Sequence, residues 1–369
     1  MDLDRYRTLF PVTRETVFLN NAAESPLNTR VRQRLDEYLQ IAADAPHRKP
    51  SVRAPVRRLL ASLLGGRSED FALVTSTGVG LGLVAAGIAW VRGDNVVMPA
   101  DEHWNNTFPW LVLRERGIDV RVVPLDDKLR LDPSRVAEQV DDRTRLVALA
   151  AVRHTTGFRA DLKALGRIAH DRGALLVVDG VQAAGVVPLN IEEDGIDVLA
   201  CAGFKWLLGQ PGTGFLYVRP GLEDQIRPTL PGMFAAEDDL TQVLWFPDAR
   251  RFETGSFAYP LFHAWTAGLE LLLEIGIPVI HDRVLTLTTQ LVQGLRQAGM
   301  TIATPIEDRD ERSAIVSFSA GSPEANQTLF ERLSARGIIV ALRGGRCRIS
   351  PSFYNTEEEI DRFLEVAAR

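Results

Sequence analysis

The chain has 369 residues, 46% of them hydrophobic, and a formal net charge of −6. That length buries a large core and predicts two domains, and the acidic balance offers nucleic acid no general attraction. Two cysteines, Cys201 and Cys347, argue against a disulfide framework and fit a reducing cytoplasm. The first residues, Met1 to Arg7, lack the apolar core of a signal peptide, and no apolar run is long enough to span a bilayer.

Short apolar runs alternate with amphipathic stretches through the first two-thirds of the chain. Strands are expected at Phe71–Ser76, Asn95–Pro99, Val120–Leu125, Leu146–Val152, Leu175–Asp179, Val198–Ala202 and Gly214–Val218. Helices are expected among them at Gly80–Ala89, Pro133–Val140 and Leu162–Arg172. Strands without in/out alternation, interleaved with helices, predict an α/β fold around a mostly parallel seven-stranded sheet. In the last third, helices are expected at Leu261–Gly276 and Arg283–Ala298, strands at Ser313–Ser319 and Ile338–Leu342, and an acidic closing helix from Thr356. That pattern predicts a large domain over 16–262 and a smaller α+β domain over 263–369 with 1–15.

Lys205 carries the most chemistry. It lies 26 positions after Asp179, which ends the apolar run from Ala174. A lysine among apolar neighbours is costly to keep charged, and Schiff-base chemistry is the usual reason to place one there. An aspartate ending a buried strand supplies the charge that keeps a pyridine nitrogen protonated. Together they describe a pyridoxal phosphate (PLP) site. No metal-ligating cluster is read.

After the strand at Phe71 comes Thr75-Ser-Thr-Gly-Val-Gly-Leu-Gly. A strand opening into a helix through small residues presents free N–H groups to a phosphate. Ser76, Thr77, Gly78 and Val79 are the expected phosphate ligands. Gly80-Leu-Gly82 followed by Ala85 also matches a dinucleotide fingerprint, with Asp101 and Glu102 beyond the next strand, so an NAD(P)-dependent oxidoreductase stands as the rival reading.

In register over nearly the whole chain, these segments resemble the class V aminotransferases of the fold-type I PLP enzymes. The resemblance rests on Phe18-Leu-Asn-Asn-Ala-Ala, Glu102-His-Trp-Asn-Asn, Arg153-His-Thr-Thr-Gly, Val177-Val-Asp-Gly-Val-Gln, Gly203-Phe-Lys-Trp, Arg251-Phe-Glu-Thr-Gly-Ser and Arg348-Ile-Ser-Pro. It implies Lys205 as the Schiff-base lysine and Asp179 at the ring nitrogen. Trp104 would stack on the ring, and His154 and Gln182 would touch its hydroxyl. Gly255 and Ser256 would reach the phosphate of a neighbouring subunit, making a homodimer with shared active sites. Arg348 would hold the carboxylate of an amino acid substrate, with Asn21 and His47 as further candidates.

Departures from the family pattern shape the expected activity. Arg343-Gly-Gly-Arg-Cys-Arg348 is too short for the loop cysteine of a cysteine desulfurase, and Phe204 replaces a common histidine. The chain therefore looks closest to the isopenicillin N epimerase-like branch. The reading expected is C–S lyase (β-elimination) or aminotransferase chemistry, with epimerisation as an alternative. Persulfide-forming desulfurase activity is expected to be absent. A non-catalytic PLP-binding module is a third class.

Overall fold

The computed structural model describes residues 2–237, 239 and 241–368. A two-residue strand, β1 (Val17–Phe18), comes first. The central sheet follows with β2 (Phe71–Val74), β3 (Asn95–Pro99), β4 (Asp119–Val123), β5 (Thr144–Ala150), β6 (Leu175–Asp179), β7 (Val198–Ala202) and β8 (Gly214–Val218). Their lateral order is β2-β8-β7-β6-β5-β3-β4. Strands β3 to β7 run parallel, and β8 is antiparallel to both its neighbours.

All seven expected strands exist, with ends displaced by at most two residues. Ser76 leaves its strand because its hydroxyl accepts the Val79 N–H and caps the helix Thr77–Gly87. Alternate residues of each central strand enter opposite cores. Leu176 and Val178 face one side with the helices Arg53–Leu64 and Leu162–His170, and Leu175 and Val177 face the other with Thr77–Gly87. Burial on both faces, worth roughly 1.5–3 kcal/mol per large aliphatic side chain, explains why the sequence showed no alternation.

A hairpin of β9 (Ala236–Glu237) and β10 (Leu244–Trp245) was not expected. The last third holds a four-stranded antiparallel sheet, ordered β11-β12-β15-β14. These strands are β11 (Thr301–Ile302), β12 (Val316–Ser319), β14 (Ala341–Arg343) and β15 (Arg346–Ile349), and β13 (Ile338–Ile339) pairs in parallel with β1 instead. The single strand expected at Ile338–Leu342 is thus split at Val340, its halves bonded to different partners. One face of this sheet packs on the helices Ile277–Gln297, Pro323–Ser334 and Glu357–Ala367. Thr356 and Glu359 cap the last of these reciprocally. Among the described residues, no helix is long and apolar enough to cross a membrane.

Candidate active site

A cavity of about 410 Å³ opens where the loops leave the C-terminal ends of β2, β3, β5, β6 and β7. An open, mostly parallel sheet places its ligand site at this edge. Asp179, the last residue of β6, is buried there. One of its carboxylate oxygens accepts the Val181 N–H at 2.9 Å. Burial, with Glu102 nearby, pushes Asp179 up to about 7, although the Val181 bond and Lys205 pull it down. Lys205 follows β7 and is half-buried, with its Nζ 5.7 Å from the Phe204 ring centroid. Desolvation outweighs the attraction of Asp179 and holds the lysine at about 8.

Three loops are locked around this pair. The Trp206 indole N–H donates to the Gln182 side-chain carbonyl at 2.9 Å, and the Gln182 amide donates to the Ala22 carbonyl at 2.9 Å. On the β3 side, the Asn105 N–H donates to His103 Nδ1 at 3.2 Å, which leaves the proton of the neutral ring on Nε2. Burial, then the cations Lys205, Arg343 and Arg348, lower the pKa of His103. His154 packs edge-to-face on it at 5.1 Å, and burial drops His154 to about 4. Both imidazoles are therefore neutral at physiological pH.

Arg348, on β15, is only 2% exposed. One of its terminal nitrogens donates to the His154 carbonyl at 2.8 Å, while its other terminal nitrogen and Nε are buried without a partner. Burial and the neighbouring Arg343 hold it at about 10. Cys347 points away from Arg348 into the small-lobe core, and Cys201 is buried in the central sheet. Both thiols are pushed up by burial, Cys347 to about 11.

The expected residues Ser76, Thr77, Trp104, His154, Asp179, Gln182, Lys205 and Arg348 therefore meet at one cavity. Trp104 reaches it only at the rim, 63% exposed and stacked on Phe108, while the less exposed His103 beside it lies within reach of the Lys205 charge. Others do not meet there. Asn21 is committed elsewhere, donating to the Ser350 carbonyl and accepting from the Tyr354 hydroxyl at 2.6 Å. Gly78 and Val79 belong to the helix whose start faces the cavity but do not line it. His47 lies in an exposed turn, and Gly255 and Ser256 also stand outside the cavity lining. His103 and Arg343 were missed as site residues. His103 was legible as the other aromatic ring in its segment, whereas Arg343 stood out only as one end of the short Arg343–Arg348 stretch.

The dinucleotide reading fails on backbone geometry. Its fingerprint needs Gly80 in the turn, but Gly80 and Gly82 both lie inside the helix that starts at Thr77. A Cβ on Gly80 would meet Ala200 at 3.0 Å, so that glycine lets helix and sheet approach. Glu102 is buried, accepting from the Ala150 N–H and the Asn106 amide. A cleft of about 520 Å³ beside the Asp308–Glu311 turn is larger, but its lining does not include the lysine–aspartate pair of Lys205 and Asp179.

The family model for class-V aminotransferases matches residues 17–363. The chain belongs to the class-V aminotransferase family. A relative named probable cysteine desulfurase, from Methanothermobacter thermautotrophicus, is 30% identical and covers 99% of this chain and 97% of its own. The apo structure of a cysteine desulfurase from Thermococcus onnurineus NA1 is 27% identical, with a TM-score of 0.89 over 98% of this chain and 96% of the other. A structure of C-DES with glycine covalently linked to its PLP cofactor superposes with a TM-score of 0.91 at 22% identity, over 98% of each chain, which supports the fold. This class-V member is a PLP-dependent enzyme. These relatives overturn the exclusion of desulfurase activity drawn from the short Arg343–Arg348 hairpin. A missing loop cysteine takes away one sulfur acceptor, not the groups that cleave the C–S bond.

The residues present fit PLP. The N–H groups at the start of the Thr77 helix, of which the Ser76 hydroxyl takes Val79's, suit its phosphate, and Asp179 suits its ring nitrogen. The unpartnered nitrogens of Arg348, buried at the same cavity, await an anionic partner.

Proposed function

We propose that this enzyme is a cysteine desulfurase, removing sulfur from L-cysteine or a close derivative and leaving alanine. The observation that carries the reading is the convergence of Lys205, Asp179 and the two unpartnered nitrogens of Arg348 on one cavity. The names borne by relatives at 30% and 27% identity support it.

In this reading Lys205 holds the cofactor and, when released, moves a proton at the substrate Cα. A depressed pKa suits that exchange near neutrality. Bound PLP withdraws electrons from Cα. Asp179 holds the proton on the ring nitrogen, and the neutral His103 ring, rather than Trp104, covers the ring face. Gln182 and His154 stand for the ring hydroxyl. Ser76, Thr77 and the helix N–H groups of Gly78 and Val79 take the phosphate, with Gly255 and Ser256 of a second copy in a homodimer. Arg348 grips the substrate carboxylate, which orients the Cα bonds. The division into a cofactor lobe over 16–262 and a smaller lobe over the rest holds only in outline, since Phe10 and the helix Tyr259–Ile275 pack in the core of the cofactor lobe while β1 pairs with β13 of the smaller lobe. The setting is the cytoplasm.

The sulfur of cysteine needs an acceptor. Both protein thiols are buried away from the cavity, so the acceptor is an external thiol. Cysteine and that thiol become alanine and a persulfide, with the C–S electron pair kept by Cβ. The test is to incubate PLP-loaded protein with L-cysteine and dithiothreitol, then quantify alanine and sulfide. Equal amounts of both are expected. Pyruvate and ammonia in place of alanine would sink the reading.

A further inference from the structure

A groove of about 800 Å³ opens at the N-terminal edge of the central sheet, the edge opposite the Lys205 cavity. Asp197, just before β7, is fully buried and holds two of the lining side chains. Its carboxylate accepts the Leu176 N–H at 2.7 Å, the Arg219 Nε–H at 2.6 Å and the His170 Nε2–H at 2.7 Å. The terminal nitrogens of Arg219 and the Nδ1 of His170 keep no partner among the described residues. Because a carboxylate only accepts, neutral His170 carries its proton on Nε2 and offers Nδ1 as an acceptor. Tyr217 lines the same groove at 2% exposure, and among the described residues its hydroxyl makes no hydrogen bond. Burial, then Asp70 and Glu192, push its pKa up, while Arg219 pulls it down, so the Glu192 carboxylate and the Arg219 guanidinium both act on that hydroxyl. An unpaired hydroxyl on a buried ring is costly unless something entering the groove completes it.

Leu175, Ile191, Ile196 and Leu222 give the groove apolar walls, and the charges of Arg219 and Glu192 in its lining cancel. Such a groove gathers no simple ion. It suits a neutral planar ring with apolar faces and with donors and acceptors along its edge. Guanine matches the polar groups present. Its O6 and N7 accept from an arginine fork, and its N1–H and amino group donate side by side to a carboxylate. Adenine instead places an amino donor where the arginine needs an acceptor. A smaller cleft of about 160 Å³ shares Gly173, Leu175 and Gln225 with the groove, and its lining is net positive, with Arg145 and Arg172 against Asp142. Arg145 meets only Asp94, at 3.9 Å. We infer that the two clefts form one binding site for a guanine mononucleotide, with the base in the larger and the phosphate in the smaller. Arg219 takes O6 and N7, Glu192 takes N1–H and the amino group, and Tyr217 between them donates to O6. His170 Nδ1 and the Gln225 amide stand for the ribose. Neither cleft shares a lining residue with the Lys205 cavity, so the site is independent of the reaction performed there.

The test is calorimetric titration of the PLP-loaded enzyme with guanosine 5′-monophosphate (GMP), adenosine 5′-monophosphate (AMP) and guanosine. GMP should bind once per chain, and AMP about 10- to 100-fold more weakly, the discrimination of a bidentate base contact. Glu192→Ala, at an exposed side chain whose loss leaves the fold intact, should erase the preference for GMP over AMP. Tyr217→Phe should weaken GMP binding. Arg145→Gln should bring GMP down to the affinity of guanosine and keep the preference for the base. The visible band of the bound cofactor should stay in place as GMP is added. The inference is overturned by an absence of saturable GMP binding, by equal binding of GMP and AMP, or by a preference that survives Glu192→Ala. It is equally overturned if added PLP displaces GMP, which would put the nucleotide at the cofactor's phosphate site.

Discussion

Trp206 donates its indole N–H to the side-chain carbonyl of Gln182 at 2.9 Å, tying the loop that carries Lys205 to the loop that follows Asp179. Gln182 passes the connection on to Ala22, so three chain segments share one side chain. Trp206→Phe keeps the ring and leaves the buried Gln182 oxygen without its donor. Urea unfolding of the cofactor-free protein should show a loss of about 1–3 kcal/mol, and PLP should bind more weakly. An unchanged midpoint would show that the bond does not hold the loops.

Lys205 gives the cofactor-free protein a defined pH signature. Its ordinary value is 10.5, and burial lowers it to about 8 in the fold. Between those values the unfolded chain binds a proton that the folded chain has lost, so stability rises with pH across that window. Below about pH 8 the cost of the buried charge is fully present. Lys205→Met should therefore melt above wild type at pH 7, with the gap closing toward pH 10.5. The variant should also lose covalent capture of PLP by borohydride, read by mass spectrometry. A melting gap that is constant across this range would contradict the account.

Arg348 is held in readiness at a cost to stability. Arg348→Met removes two buried, unpartnered nitrogens and one hydrogen bond to His154. Stability of the cofactor-free protein should stay level or rise, because an apolar side chain replaces a poorly satisfied buried cation. The kcat/KM for the amino acid substrate should fall on the order of 10²–10³-fold, as expected for losing one partner of a buried charge pair. A fall in kcat alone, with substrate binding intact, would place the carboxylate elsewhere.

The two thiols should be silent. Burial raises both Cys201 and Cys347 above the ordinary thiol value, so little thiolate is present near neutrality. Iodoacetamide at pH 8 should leave the native protein unlabelled and label both residues after denaturation. Cys347→Ala should turn over cysteine with an external thiol much as wild type does. Loss of persulfide transfer in that variant would make Cys347 an acceptor after all.

Gly157 holds the junction between the His154 loop and the small sheet. Its φ is +76°, and a Cβ there would meet the Ile315 carbonyl oxygen at 2.3 Å. Gly157→Ala should cost about 1–3 kcal/mol from backbone strain, with the clash adding to it. It should also weaken substrate binding, because Arg348 is anchored to the His154 carbonyl. Thermal melting and a substrate titration would check the two effects together.

Sequence alone determined the layered fold and most of the cavity. The seven central strands are short apolar runs whose spacing follows from burial on both faces, and Asp179 and Lys205 stand out because charges end those runs. Ser76, Thr77 and Gln182 could be placed because they follow strand ends that all reach one edge of the sheet. What only the tertiary structure decided concerns direction and partnership. Trp104 and His103 are adjacent in the chain, and which one faces the lysine depends on the turn His103 makes with Asn105 and on the stack of Trp104 with Phe108. Asn21 looked available until Ser350 and Tyr354, more than 300 residues away, were seen to occupy it. Arg343 was only one end of a short turn in the sequence, and the strand pairing of its hairpin turned it beside Arg348. Local patterns report how a residue's own segment is buried. The aim of a polar side chain is set by partners distant in sequence, and those become neighbours only when the chain has folded.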